Sequence, residues 1–367
     1  MRVLHVIPSL AIQDGGPPRA MAAIAKALHR VPVDVTILTT SADNGEHRDA
    51  VRIIEPVEVV SVRRNVRAYK IGWSAISWLS KNVERFDVVH IHAVFSFLST
   101  AAALMAGRRN MPYIVRPLGV LNRWGMRKRR PLAKRVSYQL NESRILHRAD
   151  AIHFTSALEA EETYEGDPTL KEVASIILPI PVEVPIVEET ALGTPARFAE
   201  LADRRKILFM SRFAPQKGLE LLMRAFATIK EKYPDWVLVL AGGGDPHYLE
   251  QLKHLAGELG IEAAITWTGY LSGSEKWSML AAADIFVLPS YSESFGIAAA
   301  EALVSGCPSI LSNRIPFSRE AERAGAAYLV SCDTAALTEA LILLCNDADK
   351  RSDLSARGRL FAQQMFS

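Results

Sequence analysis

The chain has 367 residues, of which 49% are hydrophobic and 23% are charged, and its formal net charge is +3. This length and composition allow sizeable apolar cores and exceed what one ordinary domain requires, so we expect two domains. The small net charge argues against a general nucleic-acid-binding protein, whose positive excess is usually larger and more concentrated. We therefore expect no nucleic-acid partner.

Cysteine usage and hydropathy argue against several further classes of protein. The three cysteines, Cys307, Cys332 and Cys345, show no CxxC spacing, so neither a disulfide framework nor a zinc site is indicated. No apolar run approaches the roughly 20 residues that span a bilayer. The first apolar segment leads into a loop rather than a signal-peptide cleavage site. We expect a cytoplasmic protein.

Short runs of Val, Ile and Leu alternate with amphipathic stretches along nearly the whole chain, which is typical of parallel strands linked by crossover helices. The predicted strands lie near residues 3–7, 33–39, 57–62, 88–92, 113–116, 151–155, 176–178, 206–210, 236–240, 264–267, 285–288 and 309–311. This pattern predicts an α/β fold with two doubly wound, Rossmann-like parallel sheets.

Prolines concentrated between residues 166 and 200 indicate an extended linker between the two sheets. The predicted organisation is an N-terminal Rossmann-like domain (1–180), a linker (181–200), a C-terminal Rossmann-like domain (201–345) and a C-terminal helix (346–367).

Two glutamates, Glu293 and Glu301, lie eight residues apart with a glycine and small residues between them. The segment follows one predicted strand and precedes another, so it is expected to form a strand-to-helix turn and the helix that the turn opens. About two helical turns separate the carboxylates, which allows both to face one crevice. The alternative is that Glu293 is a turn residue and Glu301 a solvated helical residue.

The backbone N–H groups of Phe295, Gly296 and Ile297 are expected at the start of this helix, where they lack helical partners and the macrodipole is positive. Such a turn receives phosphate or sugar oxygens. Carboxylates beside an anion site suit a nucleotide sugar, because hydroxyl groups flank its diphosphate.

Two further segments follow predicted strands. Arg212 and Lys217 lie on the loop after the strand at 206–210, where two cations would suit a diphosphate, although each alone would be interpreted as an exposed loop charge. Gly15 and Gly16 follow the first strand and permit close backbone approach to a phosphate. Neither this segment nor the later glycine run contains GxGxxG, which makes a dehydrogenase a poor candidate.

Taken together, these residues resemble the retaining glycosyltransferases of the GT-B fold, family 4, over nearly the whole chain. The resemblance is carried by Glu293 with Glu301, Arg212 with Lys217-Gly218, Gly15-Gly16 and Asp87-Val-Val-His-Ile-His92. The stretch from Tyr113 to Gly119 is similar to members that build exopolysaccharide and lipopolysaccharide. One departure is that family members usually continue with a helix that crosses back to the first domain, so the C-terminal helix is a candidate truncated crossover.

The resemblance implies that Glu293 and the amides of Phe295 to Ile297 hold the transferred sugar and that Glu301 binds the ribose hydroxyls. It implies that Arg212 and Lys217 hold the diphosphate and that the reaction retains the anomeric configuration.

His92 ends a first-domain strand and is expected to face an interdomain cleft, where it could orient the sugar or the acceptor. Arg116 is the next candidate for that cleft. His90 shares the strand face of His92, and its alternative interpretation is a core histidine bonded to backbone.

We expect no organic cofactor. We also expect no metal ion in the site, because Arg212 and Lys217 would neutralise the diphosphate. The acidic pair Asp347 and Asp349 is interpreted as a solvated turn near the C-terminus rather than as a metal site.

The predicted function is a metal-independent transfer of a hexose-type sugar from a nucleotide diphosphate sugar to a glycan or lipid-linked acceptor. Three alternatives share parts of the pattern: a nucleotide-sugar 2-epimerase-like isomerase, a non-catalytic nucleotide-sugar-binding protein, and a glycan phosphorylase. The phosphorylase would need pyridoxal phosphate and usually a much longer chain.

The segment from Arg123 to Arg135 carries seven basic residues and no acidic residue, interleaved with Trp124, Met126 and Leu132. One interpretation is a peripheral docking surface for the anionic inner face of the membrane. The alternative is a solvated face that contributes only solubility.

Overall fold

The computed structural model describes residues 1–11, 16–41, 57–65, 71–122, 125–126, 131–182 and 193–366. The chain divides into two compact units, Met1–Pro181 and Val182–Ser367. Each unit is built on its own parallel sheet, and this confirms the prediction of two α/β, Rossmann-like sheets.

The first unit contains a seven-stranded sheet with the order β3-β2-β1-β4-β5-β6-β7. Its strands are β1 (Arg2–Val6), β2 (Asp34–Ser41), β3 (Glu58–Arg63), β4 (Val88–His92), β5 (Tyr113–Arg116), β6 (Ala151–Phe154) and β7 (Ser175–Ile177). The helices with described bounds are α1 (Gly16–His29), α2 (Ser74–Asn82), α3 (Phe97–Arg108), α4 (Pro131–Ser137), α5 (Ser143–His147) and α6 (Ala157–Gly166). The strand order reverses between β1 and β4, and ligands of such sheets bind beyond the carboxyl ends at the reversal.

The second unit contains a six-stranded sheet with the order β10-β9-β8-β11-β12-β13. Its strands are β8 (Arg205–Met210), β9 (Trp236–Ala241), β10 (Ile265–Gly269), β11 (Ile285–Leu288), β12 (Ser309–Ser312) and β13 (Tyr328–Val330). The helices are α7 (Leu219–Lys230), α8 (Pro246–Glu258), α9 (Gly273–Ala282), α10 (Ile297–Val304), α11 (Ser318–Arg323), α12 (Thr334–Asn346) and α13 (Ala348–Phe366). The order reverses between β8 and β11, the two strands that precede the predicted charged motifs.

Burial explains why these strands form where apolar runs were found. Trp236 to Ala241 is buried at every position, as expected of a central parallel strand that is covered on both faces. The prediction did not include the three-residue strand β13, whose short length leaves little periodic signal.

The C-terminal helix α13 packs within the second unit. The Phe366 ring contacts the Phe295 and Phe317 rings, with centroid distances of 5.7 and 5.0 Å. Asp347 lies between α12 and α13, and its carboxylate accepts a hydrogen bond from the backbone N–H of Lys350. This acidic residue therefore caps the start of a helix.

Candidate active site

The loops that follow β8 and β11 are held against each other at the strand-order reversal of the second unit. The backbone N–H of Tyr291 donates to the carbonyl oxygen of Gln216 at 2.8 Å. Gly218 has φ +68°, and a Cβ at that position would lie 2.4 Å from the carbonyl oxygen of Pro289. Only glycine therefore allows the two loops to approach this closely.

The close approach of the loops brings Lys217 to Glu293. The Lys217 Nζ lies 2.6 Å from Oε1 of Glu293, and the Ser290 hydroxyl donates to the same oxygen at 2.9 Å. The two charged side chains are only 11% and 7% exposed. Oε2 of Glu293 has no hydrogen-bond partner among the residues that the structure describes, so it remains available to a ligand.

Glu301, on α10, forms a second buried ion pair, with a lysine that sequence analysis did not identify. The Nζ of Lys276, on α9, lies 2.6 Å from Oε1 of Glu301, with the side chains 15% and 9% exposed. Lys276 lies in an amphipathic stretch where a lysine normally faces solvent, so the sequence offered no signal that would set it apart.

The helix α10 begins beside Glu293, as expected. Gly296 is its N-cap and has φ +90°, and the first helical residue is Ile297. The first N–H groups of a helix have no acceptor within the helix and carry the positive end of its dipole. The Phe295 side chain is buried against Phe317 and Phe366, so only its backbone could contribute to binding at this turn.

Arg212 follows β8 and Gly16 begins α1, the elements on which the sequence placed them. Arg212 is exposed on the loop after β8, and its side chain makes no ion pair or hydrogen bond with any residue in the described ranges. Of the four charged groups predicted to converge, Lys217 and Glu293 are in direct contact, whereas Arg212 forms no ion pair with either glutamate. Gly16 is the first residue of α1, and Gly15 lies outside the described residues.

In the first unit, histidines from three strands gather on one face of the sheet. His5 on β1 is the register partner of His90 on β4, and His92 lies two residues further along the same face. The His5 Nδ1 and His92 Nε2 atoms are 2.8 Å apart, and both residues are 1% exposed. His92 is thus a buried member of a histidine network.

His153, on β6, extends this network. Its Nε2 donates to the carbonyl oxygen of Leu178 at 2.9 Å, because a carbonyl can only accept. Its Nδ1, 3.2 Å from the His90 Nε2, therefore accepts from that nitrogen. The hydrogen-bond partner of His90 Nε2 is thus the imidazole of His153. The alternative interpretation from the sequence had assumed a backbone partner for His90.

Arg116 ends β5 beside His92, its register partner. The side chain is 1% exposed, yet its Nε has no hydrogen-bond partner in the described part of the chain. Burial lowers the pKa of Arg116 to about 10, and the nearby Glu159 carboxylate opposes this shift. A buried guanidinium that lacks a partner is costly, and such groups are concentrated where a ligand or an ordered water completes the bonding.

Backbone strain accompanies these side chains. Ala93 and Phe95, directly after β4, have φ +103° and +59°, and Leu118, after β5, has φ +63°. Left-handed conformations of residues other than glycine are strained and are often found at functional sites. The strain lies directly after His92 and Arg116.

One atom from each of His5, His90 and His92 lies within 4.8 Å of the others, a spacing that could hold a metal ion. The positive charge of Arg116 beside the cluster opposes a bound cation. From the sequence we assign no residue to a metal site, because the cations Arg212 and Lys217 would neutralise the diphosphate.

The surface of the first unit exposes an apolar row beside basic residues. Leu132 and Val136 on α4 and Leu140 in the following π-helical turn are 76%, 55% and 65% exposed and recur at every fourth residue. Arg135 lies on the same helix and is exposed. Arg123 and residues 127–130 of the predicted basic segment lie outside the described residues.

None of the helices in the described ranges combines the length and apolar character needed to cross a membrane.

The buried histidines make the stability of the first unit sensitive to pH. Burial and the charge of Arg116 lower the pKa of His5 to about 3 and that of His153 to about 4. Burial also lowers the pKa of His90 and His92 well below the usual value. Below about pH 6.5, the unfolded chain binds protons that the folded chain does not, so the free energy of unfolding decreases as pH falls toward 4.

We expect each buried histidine to contribute up to about 1.4 kcal/mol per pH unit in this range. Urea denaturation between pH 6.5 and 5, in the presence of EDTA, measures the slope. His153→Gln should reduce the slope, and the same substitution at the exposed His254, whose side chain is 77% exposed, should not change it. Identical slopes for wild type and His153→Gln would contradict the assignment.

Comparison with known proteins identifies the family. Residues 15–167 match the model of a "Glycosyl transferase 4-like domain", and residues 194–361 match that of "Glycosyl transferases group 1". The chain is 26% identical over 333 residues to an uncharacterized glycosyltransferase of Methanocaldococcus jannaschii, covering 84% of this chain and 77% of that protein.

Two further proteins, one compared by sequence and one by structure, are similar over nearly the whole chain. The chain is 25% identical over 345 residues to the GDP-mannose:cellobiosyl-diphosphopolyprenol alpha-mannosyltransferase of Komagataeibacter xylinus, covering 92% of this chain and 81% of that protein. The crystal structure of Anabaena HepE in complex with UDP and glucose superposes with a TM-score of 0.82 at 15% identity, covering 100% of this chain and 96% of that one. The chain belongs to the group 1 glycosyltransferases and has the GT-B type of fold, with two parallel-sheet, Rossmann-like units.

Proposed function

We propose that this glycosyltransferase moves a hexose-type sugar from a nucleotide diphosphate sugar to a glycan or lipid-linked acceptor, with retention of anomeric configuration. The observation that carries the proposal is the buried Lys217–Glu293 pair at the strand-order reversal of the second unit. The name of the Komagataeibacter xylinus relative, which gives GDP-mannose as donor and a diphosphopolyprenol-linked acceptor, supports this choice of substrates.

Donor binding is assigned to the second unit. Oε2 of Glu293 receives a hydroxyl of the transferred sugar, while Lys217 and the first amides of α10 face the diphosphate. Arg212, exposed on the same loop as Lys217, is free to turn toward the phosphates when the donor binds. Glu301 holds the hydroxyls of the ribose.

The chemical step consists of the departure of the nucleoside diphosphate. As the bond between the anomeric carbon and the phosphate oxygen breaks, negative charge grows on that oxygen. Lys217 and the helix amides stabilise this charge more strongly than they stabilise the bound donor. Retention requires the acceptor hydroxyl to attack the face that the diphosphate leaves, and a phosphate oxygen takes the hydroxyl proton.

Acceptor recognition is assigned to the carboxyl-end face of the first unit. The orphaned Nε–H of Arg116 is a donor for an acceptor oxygen, and the neutral imidazole of His92 positions the groups around it. Gly16 begins α1 and Gly15 precedes it in the sequence, and both are proposed to let acceptor or donor oxygens approach the backbone.

A peripheral membrane association is proposed for the basic segment from Arg123 to Arg135 and for the exposed apolar row that continues beyond it. Leu132, Val136 and Leu140 would enter the interface between headgroups and acyl chains, while the basic residues would face anionic lipids. This arrangement would bring the enzyme to a lipid-linked acceptor.

The first prediction from the proposed function concerns the Lys217–Glu293 pair. Glu293→Gln and Lys217→Met should each reduce release of nucleoside diphosphate from the accepted donor by about 100-fold or more, because a preorganised group that stabilises the transition state is lost. The assay screens UDP-, GDP- and ADP-linked sugars with lipid and glycan acceptors. Matched substitutions at the exposed Glu258 and Lys253 should leave the rate unchanged.

Each single variant leaves one buried charge unpaired, so the double variant that removes both charges serves as the folding control. It should remain folded by circular dichroism and be inactive. Full activity in either folded single variant removes that residue from the site. Inversion of the donor at C2 without nucleotide release would instead assign the chain to the epimerase alternative.

The second prediction concerns metals. Transfer should continue unchanged in EDTA, because lysine and helix amides neutralise the leaving diphosphate. Activity that is lost in EDTA and restored only by Mg²⁺ or Mn²⁺ would overturn this charge assignment.

The third prediction concerns the membrane. Vesicles containing anionic phospholipid should bind the protein more strongly than neutral vesicles, and added salt should weaken the binding. Replacement of Leu132, Val136 and Leu140 together by Ser should reduce binding, whereas Ser at the exposed Leu360 should not. Binding that depends on neither lipid charge nor the three residues would leave only the solvated-face interpretation.

A further inference from the structure

Burial of the Lys276–Glu301 ion pair costs free energy, and a need for fold stability does not explain why the pair is buried. Both side chains are more than four-fifths buried, and the lysine Nζ also lies 4.3 Å from the centroid of the Trp277 ring. Removing two charges from water costs free energy that their attraction repays only in part, and apolar residues of similar size are often at least as stabilising. A buried pair of this kind is therefore weak evidence for stability and directs attention to function.

The pairing leaves one side of the carboxylate available. Lys276 contacts Oε1 of Glu301, while Oε2 makes no hydrogen bond with any residue whose position is described. Burial of the pair also limits competition from water. The carboxylate is thus held in one orientation with an acceptor oxygen still open.

The two lysines that pair with Glu293 and Glu301 come from different elements of the second unit. Lys217 lies on the loop between β8 and α7 and contacts the first glutamate of the motif, whereas Lys276 lies on α9, after β10, and contacts the second. Because they hold different carboxylates, substitution of Lys276 can alter Glu301 without removing the Lys217–Glu293 contact.

A glutamate side chain that must be ordered by its own ligand loses rotational freedom at the moment of binding. If a neighbouring lysine has already fixed the side chain, the ligand does not bear that cost and binds more tightly. The effect appears only for ligands that carry the hydroxyl group that the carboxylate receives.

We propose that Lys276 is a positioning residue that fixes Glu301 for the ribose hydroxyls of the donor and so sets the preference for ribonucleotides over 2′-deoxyribonucleotides. The inference rests on the proposed function, which assigns Glu301 to the ribose. It adds a residue that acts through Glu301 and makes no contact of its own with the reacting sugar.

The test compares equilibrium binding of a nucleoside diphosphate with that of its 2′-deoxy counterpart by isothermal titration calorimetry. The full chain is titrated with UDP, GDP and ADP, and the tightest of these is paired with dUDP, dGDP or dADP. Wild type should favour the ribose form by about tenfold or more, the size of a hydrogen bond to a charged group. Lys276→Met should reduce the ratio to about twofold, mainly by weakening the ribose form.

Further variants separate positioning from a general structural role. Lys276→Arg should restore most of the preference, because a cation again contacts the carboxylate. Lys253→Met, at an exposed lysine, should leave the ratio at the wild-type value. In turnover assays, Lys276→Met should raise the donor KM severalfold with kcat within about twofold of wild type, since the chemical step lies elsewhere.

The outcomes distinguish failure of the proposed role of Glu301 from failure of the inference about Lys276. If wild type binds both forms equally and Glu301→Gln changes nothing, the assignment of Glu301 to the ribose fails. If Glu301→Gln abolishes the preference while folded Lys276→Met keeps it, Glu301 retains its role and the inference about Lys276 is overturned. Should Lys276→Met not fold, Lys276→Gln replaces it, and an unchanged ratio in that variant contradicts the inference equally.

Discussion

The ion pair between Lys217 and Glu293 is the interaction on which the candidate site of the second unit depends. It joins two loops that are far apart in sequence but follow adjacent strands, β8 and β11. Gly218 makes the close approach possible, because any side chain there would collide with the carbonyl oxygen of Pro289. The pair therefore rests on backbone geometry as much as on charge, and both of its members lie where parallel sheets normally bind ligands.

A second carboxylate is held in the same manner. Lys276 fixes Glu301 on α10, the helix whose first amides lie next to Glu293. Each glutamate keeps one oxygen without a hydrogen-bond partner in the described ranges, and each is shielded from water. Buried carboxylates held by lysines are suited to hydroxyl groups, and a helix N-terminus is suited to phosphate. This combination matches a nucleotide sugar, which presents both kinds of group.

The first unit has a different chemical character. Its sheet carries neutral, buried imidazoles beside Arg116, a permanent cation without a hydrogen-bond partner at Nε in the described part of the chain. Burial keeps the imidazoles uncharged near neutral pH, so they can donate or accept according to tautomer. Residues with positive φ follow β4 and β5, the strands that carry His92 and Arg116. We expect acid to weaken this arrangement, because protonation would place charge on buried imidazoles beside Arg116.

Much of the fold could be predicted from the sequence, because buried parallel strands are continuous apolar runs, and Glu293 with Lys217 could be predicted because both follow such runs. The directions in which side chains point could not be predicted in this way. Lys276 lies on a helix whose pattern does not distinguish a buried lysine from a solvated one, and Arg212 shares a loop with Lys217 but points to solvent. The burial of Arg116 was also unforeseen, since an arginine at the end of a strand is usually exposed.

A crystal structure of the protein with a bound nucleoside diphosphate tests the central claim most directly. The account predicts phosphate density beside Lys217 and the start of α10, with the ribose hydroxyls against Glu301. Nucleotide bound elsewhere on the second unit, with both lysine–glutamate pairs untouched, would contradict it.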